Sequence, residues 1–534
     1  MGDAQLDAVD SLVELPLDAL VSILRCLSAR ALCHAATSCK ALLAALRAQE
    51  AQLWQTLLSN PHVEPYWNRG RTEDAAAYRS ALELRNEWHG GDIMYRKPPD
   101  RRQLTERVVS LSCERFVRSF VVAPDARPPL ILIGLSSGAV TSSRVAFDGH
   151  LGCEGAELTD FVGEPHGQQV LSVALDAEAG LALSGSGIPA YREGPCDPRD
   201  ATVKVWRLHD GSISRSGGAA RGGATSGAAS GAASGAASGA ANGAVAEGSN
   251  GSLLFTLYGH GDSITAVTLL RGGDATRRRA ASASEDATVR IWNVSEGCAL
   301  QTCHVPQVTC LTLPTDGNWL FSGSLDGKVG QWTLCDHLAL DHRTLNVAIG
   351  RPIKAISWHD ATLSLVLGTV GALLLYQLDG KMAHLLAEIS VDIPDMGVGT
   401  SLREVMSVQH DGDKIVHVDR TVPSFMDVGK LGVHFIQPDV SNADPSGAMD
   451  PSLMDPVSWW HRSATQRAPC SLRRGRMQRC LRPYVATARF GPGWLAHDGL
   501  DDRLEIFFAN HWQPRDLSEH YCDRWDVGPW DPAP

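Results

Sequence analysis

Apolar positions near the N-terminus recur every three to four residues. After Pro16, one stripe of large apolar side chains follows, formed by Leu17, Leu20, Val21, Ile23, Leu24 and Leu27. This spacing predicts an amphipathic helix, and Pro16 suits its first turn, where a missing N–H costs nothing. Two further stripes within residues 29–47 predict more helix. A helical head of this size, residues 11–58, cannot bury all its faces by itself, so we expect it to offer one to a partner.

Beyond residue 106 the pattern changes to short alternating segments that repeat. The clearest unit is 257–294, which runs from a Gly-His pair through an alternating strand, a Ser-rich strand and a turn Asp to an Ile-Trp strand. Residues 320–334 and 181–208 contain shorter versions. A unit that recurs at a fixed period predicts a repeat architecture, because a single unit cannot bury its own apolar face.

The spacing of the strand-ending aromatics supports one period. Trp292 and Trp332 are 40 residues apart, and Tyr376 follows Trp332 by 44. Trp206 precedes Trp292 by 86, which becomes 45 once a run of 41 mainly Gly, Ala and Ser residues (212–252) is removed. Weaker units at 116–145, 405–436 and 484–508 bring the number of candidate blades to seven.

These patterns predict an α+β multidomain protein. We expect an N-terminal tail (1–10), a small all-α head (11–58), a helical linker (59–105) and a C-terminal tail (526–534). Because the repeats between them resemble WD repeats, the resemblance implies that residues 106–525 form an all-β, seven-bladed propeller. Two insertions interrupt the propeller, the low-complexity run 212–252 and residues 439–480.

Composition narrows the class of protein. The chain has 534 residues, 44% of them hydrophobic, and a formal net charge of −12, which argues against nucleic acid or an acidic membrane as the main partner. Thirteen scattered cysteines without a CxxC pair predict reduced thiols and no zinc cage. No secretory signal or bilayer-spanning apolar run is visible. We expect a soluble protein of the cytoplasm or nucleus, without cofactor or metal.

The head resembles an F-box. The residues that carry the resemblance are Leu15, Pro16, Leu20, Ile23, Leu24, Leu27, Leu32 and Cys39, in the pattern LPxDxLxxIL followed by a Cys-Lys and a Leu-Trp. Ala44-Ala45 depart from the family, which places a bulky aromatic there. The resemblance implies that these residues bind the Skp-type adaptor of a cullin–RING ubiquitin ligase. The alternative is a plain helical bundle whose leucines form only a core.

The segment behind the head is similar to the helical linker of F-box/WD-repeat proteins. The similarity rests on Trp67 to Gly70, Tyr78-Arg79 and Trp88 to Gly91. The same residues can be read as ordinary aromatic anchors that pack a helix onto the next domain, and both interpretations can hold together.

The repeats resemble WD repeats, each a four-stranded propeller blade. The resemblance implies that His260, Ser282, Asp286 and Trp292 form a buried hydrogen-bonded tetrad, in which Asp orients His, His reaches Ser and Ser meets the indole N–H. A Ser/His/Asp set also suggests a hydrolase, but such a triad is recognised by geometry and exposure. Asp200 and Asp326 recur at the same turn, and we expect neither to have a matching His.

The low-complexity run and a shorter third insertion, residues 188–199, differ in their predicted roles. The Gly/Ala/Ser run has the composition of a flexible linker and falls on the face opposite the turn aspartates. Residues 188–199 interrupt the loop before Asp200, on the face where WD propellers usually hold ligands. We therefore regard Tyr191 and Arg192 as candidate target contacts, although three nearby prolines fit a merely rigid surface loop equally well.

The leading hypothesis is a non-catalytic substrate receptor of a Skp–cullin–F-box ubiquitin ligase. Its head would bind the adaptor and its propeller an unidentified target protein, and its contribution would be proximity. The alternative is a WD-repeat interaction scaffold unrelated to ubiquitin. A propeller enzyme ranks last, because no HExxH or P-loop pattern occurs.

Overall fold

The structure, a computed structural model, describes a little over half of the chain, in many segments. These are residues 54–55, 58–59, 63–67, 75–90, 108–113, 116–123, 130–144, 158–188, 200–208, 251–270, 278–305, 307–314, 319–335, 338–345, 347, 349–380, 382–391, 393–394, 400–422, 430–438, 470–474, 479–480, 487–498 and 503–508. The predicted adaptor-binding residues 15–39 and the candidate contacts Tyr191 and Arg192 lie outside them.

A 3-10 turn (Glu64–Tyr66) and a helix α1 (Ala75–Gly90) precede thirty strands. The first half of the strands are β1 Val108–Ser112, β2 Val117–Ala123, β3 Leu130–Leu135, β4 Val140–Arg144, β5 Thr159–Asp160, β6 Gln169–Asp176, β7 Leu181–Gly187, β8 Val203–Leu208, β9 Gly251–Leu257, β10 Ile264–Leu270, β11 Arg279–Ser284, β12 Thr288–Asn293, β13 Cys298–His304, β14 Val308–Thr312 and β15 Trp319–Ser324.

The second half are β16 Val329–Cys335, β17 Leu338–Thr344, β18 Ile353–His359, β19 Ser364–Thr369, β20 Ala372–Asp379, β21 Met382–Ser390, β22 Ile393–Pro394, β23 Thr400–His410, β24 Lys414–Val422, β25 Lys430–Pro438, β26 Cys470–Arg474, β27 Arg479–Cys480, β28 Ala488–Gly491, β29 Trp494–Asp498 and β30 Arg503–Phe508.

The strands form seven antiparallel sheets, which confirms the predicted seven-bladed propeller. Blades 1 to 5 are consecutive sets of four, from β2–β5 through β18–β21. Blade 6 is built on β23–β26, with β22 and β27 as short additions, and blade 7 combines β28–β30 with the N-terminal β1. The strand before the first blade therefore completes the last one, and this pairing closes the ring.

Both predicted insertion boundaries were too wide. β9 begins at Gly251, so the last two residues of the predicted low-complexity run belong to an outer strand. β26 and β27 lie within the predicted insertion 439–480, and β26 is the outer strand of blade 6. The sequence around Cys470 lacks strong alternation, because an outer strand is half exposed and needs no continuous apolar face.

Apolar clusters join each blade to the next around the ring. Six of the clusters formed by described residues are made almost entirely from two neighbouring blades. The seventh, between blades 6 and 7, also contains α1 and the segment before it. On α1 the buried residues are Ala77, Ala81, Leu84 and Trp88, at the three- and four-residue spacing of one helix face.

The first strands of blades 1 to 6 share a register shift in their pairing with the second strand. The shift falls at Val117/Ser119, Val170/Ser172, Ile264/Ala266, Val308/Cys310, Ile353/Ala355 and Val405/Ser407. Because the irregularity recurs at one position, it aligns the blades residue by residue. Equivalent positions in blades of unrelated sequence can then be compared directly.

Candidate functional site

The ends of the blades define two faces. Turns between second and third strands, and loops that lead to the next blade, lie on one face, which we call the turn face. Turns between first and second strands, and between third and fourth strands, lie on the opposite face. This follows from the up-and-down order of four antiparallel strands. Asp286 and His260 are on the turn face.

In blade 3 the four predicted tetrad residues are hydrogen-bonded in a chain. His260 Nδ1 lies 2.9 Å from Asp286 Oδ2, and His260 Nε2 lies 2.7 Å from Ser282 Oγ. Trp292 Nε1 donates to Ser282 Oγ at 2.7 Å. A carboxylate only accepts, so Nδ1 donates to Asp286 and Nε2 accepts the Ser282 hydroxyl proton. The polar side-chain atoms of these four residues thus all have hydrogen-bond partners.

The position of these hydrogen-bonded residues favours a structural role in packing the blade. His260, Ser282 and Trp292 are buried, and the Ser282 oxygen already accepts from the indole. Burial lowers the pKa of His260, against the opposing effect of Asp286. Burial would raise the pKa of Asp286, but hydrogen bonds from His260, Thr288 and the Gly261 N–H outweigh it and hold that pKa low. A serine without solvent-facing surface has no room for a substrate carbonyl.

Blade 2 contains a second hydrogen-bonded set, built around His166, a histidine that was not predicted from sequence. His166 Nε2 lies 2.7 Å from Ser184 Oγ, and Trp206 Nε1 donates to the same oxygen at 2.8 Å. The other ring nitrogen meets Thr202 Oγ1 at 2.9 Å instead of Asp200. Burial, and secondarily Lys204, lowers the pKa of His166 to about 3.

His166 escaped detection because its local sequence is Pro-His-Gly, not Gly-His. Its distance to the strand-ending Trp206 is also 40 residues, against 32 between His260 and Trp292, since residues 189–199 lengthen the intervening turn. The usable signal was the Ser-Gly-Ser strand and the Trp, with a histidine upstream of both.

Blade 4 retains only the Ser–Trp part of the tetrad. Trp332 Nε1 donates to Ser322 Oγ at 3.0 Å, while Asp326 pairs with Lys328 at 2.7 Å and also bonds Ser324. His342, from the outer strand, lies with its ring centre 4.2 Å from that of Trp332. The contacts of Asp326 therefore lie within its own turn.

Blade 6 has different chemistry at the tetrad positions. The shared register places His417 where blade 3 has Ser282, and His434 where blade 3 has Trp292. His417 Nε2 is 3.1 Å from Asp419 Oδ2, and Arg403 pairs with the same carboxylate. All four side chains are buried. A Cβ at Gly432 would lie 2.1 Å from His417 Cε1, so glycine there leaves room for the imidazole.

Three cations on the part of the turn face formed by blades 5 and 6 are paired with carboxylates. Lys354 Nζ lies 3.8 Å from Glu404 Oε2, and Arg420 contacts the other oxygen of Glu404. Arg351 is 3.7 Å from Glu388. Burial raises the pKa of Glu285, Asp262 adds to that shift, and Lys354 opposes it. This part of the face is charge-balanced.

Two exposed aromatics on the turn face were not singled out from sequence. Phe116 is 48% exposed in the loop from blade 7 to blade 1, and Tyr258 is 46% exposed just before Gly259-His260. The loop that carries Tyr191 and Arg192 leaves the described chain at Ile188, whose N–H donates to Ser263 Oγ at 3.0 Å. Tyr258 could have been found from sequence, because it directly precedes the repeat's Gly-His pair.

On the opposite face, the turn between β23 and β24 meets the residues that precede the propeller. Tyr66 Oη donates to Asp413 Oδ2 at 2.7 Å, and His89 Nε2 lies 3.0 Å from the same oxygen. Arg85 is 3.9 Å from Asp413 Oδ1. Burial raises the pKa of Tyr66, as do the neighbouring carboxylates of Asp413 and Asp411. Gly412 supplies the left-handed backbone of this turn, with φ of 87°.

Lys414, which follows Asp413 in sequence, is enclosed by aromatic rings. Its Nζ lies 4.0 Å from the ring centre of Tyr66, 4.6 Å from that of Trp88 and 4.8 Å from that of Phe490, and it pairs with Asp411. Trp88 Nε1 donates to the Pro492 carbonyl at 2.9 Å. We call these contacts, together with those of Asp413, the α1 joint. They attach α1 to blades 6 and 7.

Comparison with known proteins supports the repeats. Residues 251–293 and 297–333 match the WD domain, G-beta repeat, so each matched stretch starts at one blade's outer strand and ends at the next blade's third strand. The chain contains WD repeats. No F-box family matches it.

Individual relatives share only part of the chain. Nuclear distribution protein nudF of Emericella nidulans is 31% identical over 185 residues, which are 33% of this chain and 39% of that protein. Two solved structures are similar over 75% of this chain. One, "Structure of U3-55K", has a TM-score of 0.47 at 14% identity over 98% of its chain. The other, "Crystal structure of RRP9 WD40 repeats", has a TM-score of 0.46 at 15% identity over 97%.

Two kinds of feature are absent from the described segments. No group of three or more His, Cys, Asp or Glu side chains among them is arranged to hold a metal ion. Within the same segments, no helix has both the length and the apolar character needed to cross a bilayer.

Proposed function

We propose that this chain is a protein-binding propeller that serves as the substrate receptor of a Skp–cullin–F-box ubiquitin ligase. In this proposal the head residues Leu20, Ile23 and Leu24 bind the adaptor, and the turn face binds the target. The receptor makes and breaks no bonds. It contributes proximity and orientation between a target and the enzyme that modifies it.

The observation that supports the proposal best is the α1 joint. α1 lies in the segment that follows the F-box-like residues in sequence, and it is held on the face opposite the turn aspartates by buried contacts of Asp413 and Lys414. The turn face is thereby left to a second partner. A two-partner protein needs its two binding regions apart, and the α1 joint supports the proposal because it anchors a segment that follows the head on the face opposite the turn face.

The chemistry of the turn face favours a target recognised through aromatic and polar contacts. Phe116 and Tyr258 are exposed there, and aromatic residues are common binding hot spots. Lys354, Arg420 and Arg351 are paired with carboxylates, so these three offer no ready cradle for a phosphorylated segment. Tyr191 and Arg192 remain proposed contacts on the same face.

The experiment is adaptor capture by the full chain carrying Leu20→Ala and Leu24→Ala. We expect capture of a purified Skp-type adaptor to be lost, because truncating a buried leucine typically costs about 2–5 kcal/mol. The matched control carries Leu300→Ala and Leu385→Ala, two exposed leucines of the propeller. Equal capture by both variants would remove the ligase role.

A second candidate is a WD-repeat scaffold unrelated to ubiquitin. It is favoured by the family comparison, which matches the WD repeats and no F-box. Target capture through Phe116 and Tyr258 together with no adaptor capture by the unmodified chain would select this candidate.

A further inference from the structure

The interface between blades 6 and 7 differs from every other interface between described blades. Its cluster has fifteen buried residues, and seven of them come from the chain before the propeller. They are Leu58, Val63, Tyr66, Ala77, Ala81, Leu84 and Trp88. The other six clusters need no such contribution.

Direct contact between blades 6 and 7 runs along their first strands. Gln409 Nε2 donates to the Phe490 carbonyl at 3.0 Å, and the Phe490 N–H donates back to Gln409 Oε1 at 3.0 Å. Arg489 Nη1 reaches Ser407 Oγ at 3.0 Å. Farther from the ring centre, the buried side chains of β24 and β25 share their cluster with those of α1.

Two consecutive charged residues of blade 6 also depend on this segment. The Asp413 side chain is 1% exposed and the Lys414 side chain 0%. Buried charges are costly unless they are paired and hydrogen-bonded. Tyr66, His89 and Arg85 supply the partners of Asp413, and Tyr66 and Trp88 supply two of the three rings around Lys414.

We propose that α1 and the 3-10 turn are an integral wedge of the propeller, so that blades 6 and 7 open together with α1. A helix that was merely docked would detach alone and leave the blades intact. The proposal does not rest on the ligase role, because it concerns how the ring is held together and no adaptor enters the argument.

The test is hydrogen exchange, read by mass spectrometry, on the full chain with Trp88→Ala. We expect exchange to accelerate by about tenfold or more in α1 and also in β24, β28 and β29, while β11 and β12 of blade 3 stay protected. The control is Asn86→Ala, an exposed position of the same helix, which should change neither region.

Amine labelling reports on the same event independently. Lys414 should resist an amine-reactive reagent in the unmodified chain and become labelled in Trp88→Ala. Lys328, whose side chain is 63% exposed, serves as the internal reference that is labelled in both.

A labelled Lys414 together with unchanged protection of β24, β28 and β29 would overturn the proposal, since α1 would then have left without the blades. An unlabelled Lys414 and unchanged exchange throughout would overturn it as well. If Trp88→Ala does not accumulate, Tyr66→Phe decides. It keeps the ring but removes one donor from Asp413, and we expect a smaller acceleration in the same strands. Acceleration confined to α1 would contradict the wedge.

Discussion

Blades 3 and 6 occupy equivalent places in the ring yet solve the same packing problem with different side chains. In blade 3, a neutral chain from His260 through Ser282 to Trp292 is anchored by one turn aspartate. In blade 6, His417 and His434 stand at the serine and tryptophan positions, and the Arg403–Asp419 ion pair is buried beside them. In blade 3 the hydrogen-bond partners of the tetrad come from the blade itself and from the loop that leads into it. In blade 6, Asp413 and Lys414 also need partners from α1 and the 3-10 turn.

The shared strand register fixes where equivalent side chains lie in the two blades, but it does not fix the chemistry of those side chains. In blade 3 the polar atoms of the tetrad are all partnered, as low dielectric surroundings demand, whereas in blade 6 His417 Nδ1 is buried without a hydrogen-bond partner among the described residues. The two blades also differ in what a single substitution leaves behind. Losing Asp286 from blade 3 leaves a neutral imidazole without its carboxylate, while losing Arg403 from blade 6 leaves a buried carboxylate without its cation.

The largest expected effect is therefore in blade 6. Arg403→Ala removes one partner of a buried ion pair and leaves Asp419 charged in the interior, which typically costs about 3–5 kcal/mol. Chemical denaturation would measure the loss in free energy of unfolding. The control is Arg420→Ala, whose partly exposed pair with Glu404 should contribute at most about 1 kcal/mol. Equal losses for the two variants would mean that Asp419 is reached by water.

A smaller loss is expected in blade 3. Asp286→Ala leaves the buried His260 Nδ1 without its carboxylate partner, a penalty of roughly 1–3 kcal/mol. Thermal and urea unfolding would measure it, with Asp326→Ala in blade 4 as the matched control, since that aspartate has no histidine partner among the described residues. A variant of full stability that had lost a hydrolytic activity would instead revive the enzyme interpretation.

Blades 2 and 6 both carry an insertion between their third and fourth strands, and blade 2 allows its insertion to be tested. Deleting residues 214–250 should not lower the melting temperature, because loop length enters closure entropy only logarithmically. The shortening should raise the free energy of unfolding by at most about 2 kcal/mol. A clear fall in the melting temperature would show that the run stabilises the blade.

In blade 2, the buried His166 predicts that the stability of the protein depends on pH. Burial lowers the pKa of His166 from 6.5 to about 3, so between these values the unfolded chain binds a proton that the folded chain does not. Stability should fall as pH drops through this window, by up to about 1.4 kcal/mol per pH unit for this group. Urea unfolding from pH 7.5 to 4.5 should show a shallower slope for His166→Gln. His304→Gln, an exposed position, should leave the slope unchanged.

The sequence predicted the blades wherever a repeat signature was present. Trp206, Trp292, Trp332 and Tyr376 kept the period, so blades 2 to 5 were found and the count of seven was confirmed. Blade 6 was found only in outline, because histidines at the tetrad positions carry no repeat signature. Its outer strand β26 was assigned to an insertion, since residues 439–469 separate it from β25.

The candidate site was less predictable than the fold. The blade 3 tetrad followed from a resemblance and its geometry is now described, but Asp413 and Lys414 gave no signal at all. The hydrogen-bond partners Tyr66 and His89 of Asp413 lie 347 and 324 positions away in sequence, so no local pattern could pair them. The assignments for Leu15 to Cys39 and for Tyr191 and Arg192 stay predictions, as do the adaptor and the target.

The hydrogen bond between Trp88 and Pro492 has a consequence for the order in which the protein is made. These residues are 404 positions apart, and ribosomes add about 5–20 residues per second. α1 must therefore wait about 20–80 seconds on the ribosome before blade 7 exists to receive it. For most of that interval, until blade 6 has been made, the apolar face that ends at Trp88 has none of its partners in the propeller. A nascent chain of this design is a natural client for chaperones, and its yield in cells should depend on them more than the finished ring's stability would suggest.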